Sequence, residues 1–251
     1  MEAAAIRALL HRDRLWALYA LGDLDARRQH YCEWYVRGAS VALLYREFDT
    51  PILFAAGTTD VLADLPEVDT CLLHVPDAFL GAVERRFELE WACPMLRMAL
   101  EQASFARPIG SAVVEPLGSA HERELRELYA DGRDSGEEPD FFMPIQLGDD
   151  TFFGIRHDGR LVAAGGTHLY SATESIGAVG NVYTRRSHRG RGLASAVVAA
   201  IVERLIARGT ATIGLNVRLA NGGAIRLYER LGFMGHTRFW EGRAHRRRTA
   251  S

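Results

Sequence analysis

The reading of this chain turns on Val182-Tyr183-Thr184-Arg185-Arg186-Ser187-His188-Arg189-Gly190-Arg191-Gly192-Leu193-Ala194. Ahead of it, Ile176 to Thr184 is a short apolar run of the kind that forms a strand. Behind it, Leu193, Val197, Ile201 and Leu205 recur at helical spacing, with Ala196 and Ala200 beside the stripe, which predicts a helix over 192–208. The stretch is thus a strand-to-helix turn. A helix's first turn leaves amides without partners, and aligned peptide dipoles add partial positive charge there. Glycines at 190 and 192 let the backbone approach a ligand, and Arg189 and Arg191 add full charges. Together these features predict a phosphate or diphosphate cradle.

Taken alone, the stretch admits two rivals. A bland glycine turn with solvated arginines is one. The other is a dinucleotide loop, but Ser195 stands where its third glycine belongs, and the next strand ends Asn216-Val217 without a carboxylate.

Working outward, helix 119–130 opens at Ser119 with Glu122 three residues on, as in a capping box. An acidic loop follows over 131–139, then a short apolar turn over 141–147. Strands over 151–156 and 160–170 join through His157-Asp158-Gly159, a hairpin signal. Beyond the central turn come a strand over 211–217, a helix over 222–231 and a last strand from Phe233. The step from strand 176–184 through the long helix to strand 211–217 requires a parallel, right-handed crossover. The expected class is α+β: a mixed, mostly antiparallel central sheet flanked by helices, preceded by a smaller α/β domain.

The first half reads as helix over 1–29, strands over 30–36, 41–45 and 51–55, a short helix over 59–65, a strand over 70–75 and a helix from Pro76-Asp77 to about Phe87. Residues 88–101 suit a strand, a helix or both, and 103–110 forms a linker. The expected domains are 1–108 and 109–242, with a frayed basic tail over 243–251.

Composition narrows the function classes. A formal charge of −2 gives no field to draw nucleic acid or an anionic membrane, so neither is expected as a partner. The basic residues are all arginine, which excludes Schiff-base and phosphate-loop lysines. Cys32, Cys71 and Cys93 lie far apart and no metal-ligand spacing occurs, so no metal is expected. With no signal-like or membrane-length apolar run, the expected location is cytoplasmic.

Two motifs then carry a resemblance. Arg189-x-x-Gly192-x-Ala194 resembles the Arg/Gln-x-x-Gly-x-Gly/Ala signature of the GCN5-related N-acetyltransferases (GNAT). Asn221-Gly222-Gly223-Ala224-Ile225-Arg226-Leu227-Tyr228-Glu229-Arg230-Leu231-Gly232-Phe233 resembles that family's Asn-x-x-Ala-x-x-x-Tyr-x-x-x-Gly-Phe segment. The two stand in the family's order with one strand between them, and the resemblance covers residues 111–240.

The resemblance implies acetyl-CoA (coenzyme A) as co-substrate and a small-molecule or amino-acid amine as acceptor, with direct transfer in a ternary complex. The diphosphate would rest on the turn formed by Arg189, Gly190, Arg191, Gly192, Leu193 and Ala194. The pantetheine arm would lie along the strand at Val182, Tyr183 and Thr184, with an amide near Val182 as oxyanion donor. Strands 176–184 and 211–217 would splay to admit the thioester. Tyr228 would be the general acid, and Asn221 would cap helix 222–231 and contact the cofactor. Many relatives carry a basic glutamate on the strand before the turn; here Asn181 stands in a strand without a carboxylate. His168 and, after it, Glu174 are the candidates for the base.

The first half resembles a degenerate copy of the same fold, as in glycine N-acyltransferase-like proteins. Shaping the acceptor pocket, holding a homodimer or supporting its neighbour are the roles open to it. A non-catalytic acyl-CoA sensor and a scaffold protein are the rival functions.

Overall fold

The computed structural model describes residues 3–110, 112–139 and 141–247. The chain divides into two compact units, one drawn from Met1–Arg97, Val217–Asn221 and Gly235–Ser251, the other from Met98–Asn216 and Gly222–Met234.

The first unit begins with helices α1 (Ala3–Leu10) and α2 (Leu18–Gly22). The helix expected over 1–29 is broken between them, because Asp13 Oδ1 accepts the Trp16 amide at 2.9 Å and Arg97 draws off the Leu15 and Trp16 carbonyls at 2.8 and 2.9 Å. Strands β1 (Cys32–Arg37), β2 (Ser40–Tyr45) and β3 (Ile52–Ala56) pair antiparallel in sequence. A short 3₁₀ helix, Thr59–Asp64, then leads to β4 (Thr70–Pro76), which pairs parallel with β3. Helix α3 (Asp77–Arg86) buries Phe79, Ala82 and Val83, spaced three and four apart so that one face meets the core. The ambiguous segment after it is one strand, β5 (Phe87–Leu100).

The second unit carries β6 (Glu115–Leu117), α4 (Glu122–Tyr129), β7 (Phe152–His157), β8 (Arg160–Ser171), β9 (Ile176–Thr184), α5 (Leu193–Ala207), all but the last two residues of β10 (Thr212–Arg218) and α6 (Gly222–Arg230). Ser119 is not the cap expected at the start of α4: the chain enters through a single turn, Ser119–His121, where His121 Nδ1 accepts the Gly118 amide at 3.0 Å. Strands β6 to β9 pair antiparallel and β9 pairs parallel with β10 across α5. Asp158 and Gly159 both have positive φ, as the β7–β8 turn requires. Ala164 joins Leu125, Leu128 and Tyr129 of α4, whereas neighbouring Gly165 faces Val197 and Ile201 of α5. Successive strand residues face opposite ways, so the two helices cover opposite faces of this mostly antiparallel sheet.

The last strand, β11 (Phe233–Arg246), returns to the first unit. It pairs antiparallel with β4 from Phe239–Pro76 to His245–Thr70. Residues 243–246 are therefore strand rather than frayed tail: Ala244 is fully buried opposite Cys71 and His245 bonds Thr70 at 3.0 Å. Residues 248–251 of the expected tail lie outside the described residues. The first continuous stretch of the first unit ends at Arg97, earlier than the boundary expected at 108, and later segments return to it.

Candidate active site

The chemistry-bearing residues of the second unit gather where β9 stops behaving as a regular strand. Its parallel pairing with β10 runs from Ile176–Thr212 to Val179–Leu215 and ends there. On its other side the register against β8 slips, leaving Asn181 and Val182 without partners. Asn181 stands at φ 53°, a left-handed conformation that asparagine tolerates better than other side chains.

Hydrogen bonds from three elements hold this bulge. The Asn181 amide donates to His168 Nε2 at 3.2 Å, and the Tyr129 hydroxyl donates to the Asn181 carbonyl at 2.9 Å. Gln146 Nε2 donates to the Phe141 and His168 carbonyls at 3.0 and 3.1 Å, while its Oε1 accepts the Met143 amide at 3.1 Å. The Gln146 amide is thereby oriented, so Asn181 presents Nδ2 to Gln146 Oε1 at 3.0 Å and its own Oδ1 is left buried without a partner. An orphaned buried carbonyl and a strained φ each cost about 1–3 kcal/mol. The surrounding bonds offset that cost to keep Val182 off both neighbouring strands.

The glycine turn is open. Gly190 and Gly192 have φ 76° and 75°, and a Cβ at either would meet nothing within 4 Å. Gly192 is the residue before α5, and no side chain caps that helix. The leading amides of α5 therefore have no capping side chain, and an anion placed there gains from both hydrogen bonds and the helix dipole. Behind them Val197, Ile201 and Leu205 are buried against the sheet, fixing the turn in place. A groove of about 990 Å³ runs on from Arg191-Gly192-Leu193 past Ala196, Ala199 and Ala200.

The arginines of the turn are arranged differently from the sequence expectation. Arg189 makes a two-pronged pair with Glu137 at 2.9 and 3.1 Å and lies 5.6 Å from the Tyr183 ring centre. Asp131 accepts the Tyr183 hydroxyl at 2.9 Å and the Arg186 amide at 3.1 Å. The acidic loop thus neutralises Arg189 beside the cradle, leaving the amides and Arg191 to meet an anion. Thr184 Oγ1 is buried and unpartnered on the same strand.

Tyr228 is half-buried on α6, its ring 5.9 Å from Phe233 and edge-on to it. Burial pushes its phenol up to about 12, so it is a neutral proton donor at ordinary pH. Asn221 precedes α6, its amide donating to the Arg218 carbonyl at 2.8 Å. His168 is engaged otherwise than a base requires: its Nε2 lone pair receives the Asn181 amide, and burial lowers its pKa to about 4. Glu174 lies in the β8–β9 turn, before Ile176. At ~3.3 Å per residue, that end of β9 is about 20 Å from Val182. The structure therefore does not bring Glu174 to the bulge.

Tyr129, Gln146 and Glu137 were not legible as site residues. The only sequence signal was Gly180-Asn181, a turn-prone pair inside an apolar strand.

Residues 119–233 match the profile of the Acetyltransferase (GNAT) family. The chain carries a GNAT domain. A protein from Novosphingobium aromaticivorans assigned to the GNAT family is 25% identical, over 91% of this chain and 96% of that one, with a TM-score of 0.61. A GCN5-related N-acetyltransferase from Kribbella flavida is 20% identical, over 94% and 95%, with a TM-score of 0.62. A tandem GNAT protein from the clavulanic acid biosynthesis pathway shares the fold at 14% identity, over 92% and 88%, with a TM-score of 0.59. No curated protein matches the chain. Both halves are α/β, and among the described residues no group of side chains is placed to hold a metal and no helix is long and apolar enough to cross a membrane. The GNAT domain's two sequence motifs fall on the turn before α5 and on α6.

Proposed function

We propose that the GNAT domain transfers the acetyl group of acetyl-CoA to the amine of a small molecule or amino acid, directly and in a ternary complex. The observation that carries this reading is the conjunction of an open glycine turn at the start of α5 with a bulge in β9 that leaves Asn181 and Val182 unpaired to either neighbour a few residues before it. The fit is physical: the turn has left-handed glycines with empty space at each Cβ, and an uncapped helix behind them. The amides from Gly190 to Ala194 would hold the coenzyme's diphosphate, and β9 at Val182, Tyr183 and Thr184 would lie along its arm. When bound, the coenzyme supplies an activated acyl thioester.

The chain's own residues would do the rest. The Val182 amide, released by the bulge, donates to the acyl carbonyl oxygen as negative charge develops there. Tyr228 gives its phenolic proton to the departing sulfur. His168 serves as a positioning residue, its Nε2 holding the Asn181 amide, and the amine's proton leaves through solvent, which in turn reprotonates the Tyr228 phenolate. No cysteine is needed as a carrier: Cys71 is buried, and Cys32 and Cys71 have thiols that burial raises to about 12. We also read the first unit as a degenerate copy of the same fold, since β1 to β4 repeat the connections of β7 to β10.

The test is release of coenzyme A from acetyl-CoA with a panel of primary amines, wild type against Tyr228→Phe. Amine-dependent turnover that falls in the variant, with acetyl-CoA binding kept, supports the reading. Binding without turnover for any amine favours the sensor.

A further inference from the structure

The first unit has its own parting of parallel strands. Pairing of β3 with β4 ends at Phe54–His74, as pairing of β9 with β10 ends at Val179–Leu215. At that point one side chain covers the opening. The Trp16 indole lies nearly parallel to the rings of Phe54 and His74, at 5.4 and 5.2 Å and angles of 21° and 18°. Its Nε1 donates to the Ala55 carbonyl at 2.8 Å, one residue beyond the last paired position. Trp16 is 3% exposed.

The indole is itself fastened. Arg97, fully buried, donates to the Leu15 and Trp16 carbonyls and to His74 Nε2 at 2.8 Å, with its guanidinium 5.3 Å from the indole centre. Phe239 closes a further side at 5.4 Å.

The adjoining turn is closed too. Gly57 has φ 96°, but a Cβ there would lie 2.6 Å from Ser40 Oγ. That oxygen accepts the Thr58 amide at 2.9 Å, and Thr58 Oγ1 bonds Asp60. The helix that follows has six residues against fifteen in α5, and Asp60 in its first turn would repel an anion.

We propose that Trp16 is an internal ligand: it fills, in the first unit, the slot that the second unit keeps for its co-substrate, so one chain binds one coenzyme. The claim about stoichiometry rests on the acetyl-CoA reading above; the claim about the plug does not. The indole's planar face and single N–H reproduce what a ligand needs there, flat apolar contact and one donor for a strand carbonyl. The clamp by Arg97 makes the plug part of the core, and the first unit a closed copy of the second.

The experiment combines native mass spectrometry of the wild type with acetyl-CoA and thermal unfolding of Trp16→Gly with and without free indole. The expected result is one acetyl-CoA per chain, with Trp16→Gly melting on the order of 10 °C lower and saturating indole restoring more than half of that loss. Two acetyl-CoA per chain would overturn the proposal, as would a folded Trp16→Gly whose melting temperature indole leaves unmoved. Should Trp16→Gly not fold, Trp16→Phe decides: losing the bond to Ala55 and the fused second ring, it should melt at least about 3 °C lower, and an unchanged melting temperature counts against the plug. Absence of any acetyl-CoA binding would overturn the stoichiometry together with the proposed function, leaving the indole readout to decide the plug.

Discussion

The two places where parallel strands part, after Phe54–His74 and after Val179–Leu215, differ in what the protein does with the opening. In the first unit a buried indole, a buried guanidinium and a serine hydroxyl occupy the strand edge and the turn. In the second, the turn's glycines face empty space and a bulge keeps Asn181 and Val182 unpaired at some cost in strain. The lesson is that the fold itself supplies only the parting. Whether it becomes a site depends on whether neighbouring side chains satisfy the exposed backbone groups or leave them for a ligand.

The largest contrast should come from the paired glycines. Gly192→Phe is expected to abolish thermal stabilisation by acetyl-CoA, which at 100 times Kd amounts to about 2.7 kcal/mol, and a side chain held at φ 75° also costs the unliganded protein about 1–2 kcal/mol. Gly57→Ala should also destabilise the protein, by about 1–3 kcal/mol through its φ of 96° and the clash with Ser40, but leave the acetyl-CoA shift intact. Equal effects of both substitutions on binding would erase the distinction between the two turns.

Next in size is Tyr228→Phe, expected to lower kcat by about 100-fold with the dissociation constant for acetyl-CoA within twofold of wild type. The bulge is then tested by Tyr129→Phe, which removes one bond to the Asn181 carbonyl. A drop in kcat of about tenfold with binding kept is expected, measured by steady-state kinetics at saturating acetyl-CoA. An unchanged kcat would show that the bulge needs no such support.

Glu137→Gln probes the acidic loop's hold on Arg189. Freed of its partner, Arg189 should tighten acetyl-CoA binding by a few-fold at low salt, with the gain shrinking as ionic strength rises. The smallest effect concerns pH. His168 is held neutral by burial down to about 4, whereas in the unfolded chain it protonates near 6.5. Between those values the unfolded state binds the extra proton, so this contribution is intact above 6.5 and is lost as pH falls toward 4. The stability gap between wild type and His168→Gln should therefore narrow across that window, read by denaturant unfolding at successive pH values.

Much of the second unit was legible in the sequence because its signals are local. The glycine turn, the stripe of Val197, Ile201 and Leu205, and Asp158-Gly159 each impose one backbone geometry on a few consecutive residues. What was not legible depends on distant partners. That Arg189 pairs with Glu137, or that His168 turns its lone pair to the Asn181 amide, follows from residues 52 and 13 positions apart meeting in space. The return of β11 to the first unit hid for the same reason: its apolar pattern fitted either neighbour. Glu174 adjoins β9 in sequence yet lies at the far end from Val182, because a strand carries its two ends far apart. The plug at Trp16 combined both difficulties, since an aromatic after a helix ordinarily reads as core.

The account rests on an unpaired turn at the start of α5 gripping the coenzyme, and calorimetric titration of acetyl-CoA measures that most directly. Wild type and Trp16→Phe should each bind close to one equivalent, and Gly192→Phe none. Equal heats from wild type and Gly192→Phe, or no binding by wild type, would contradict it.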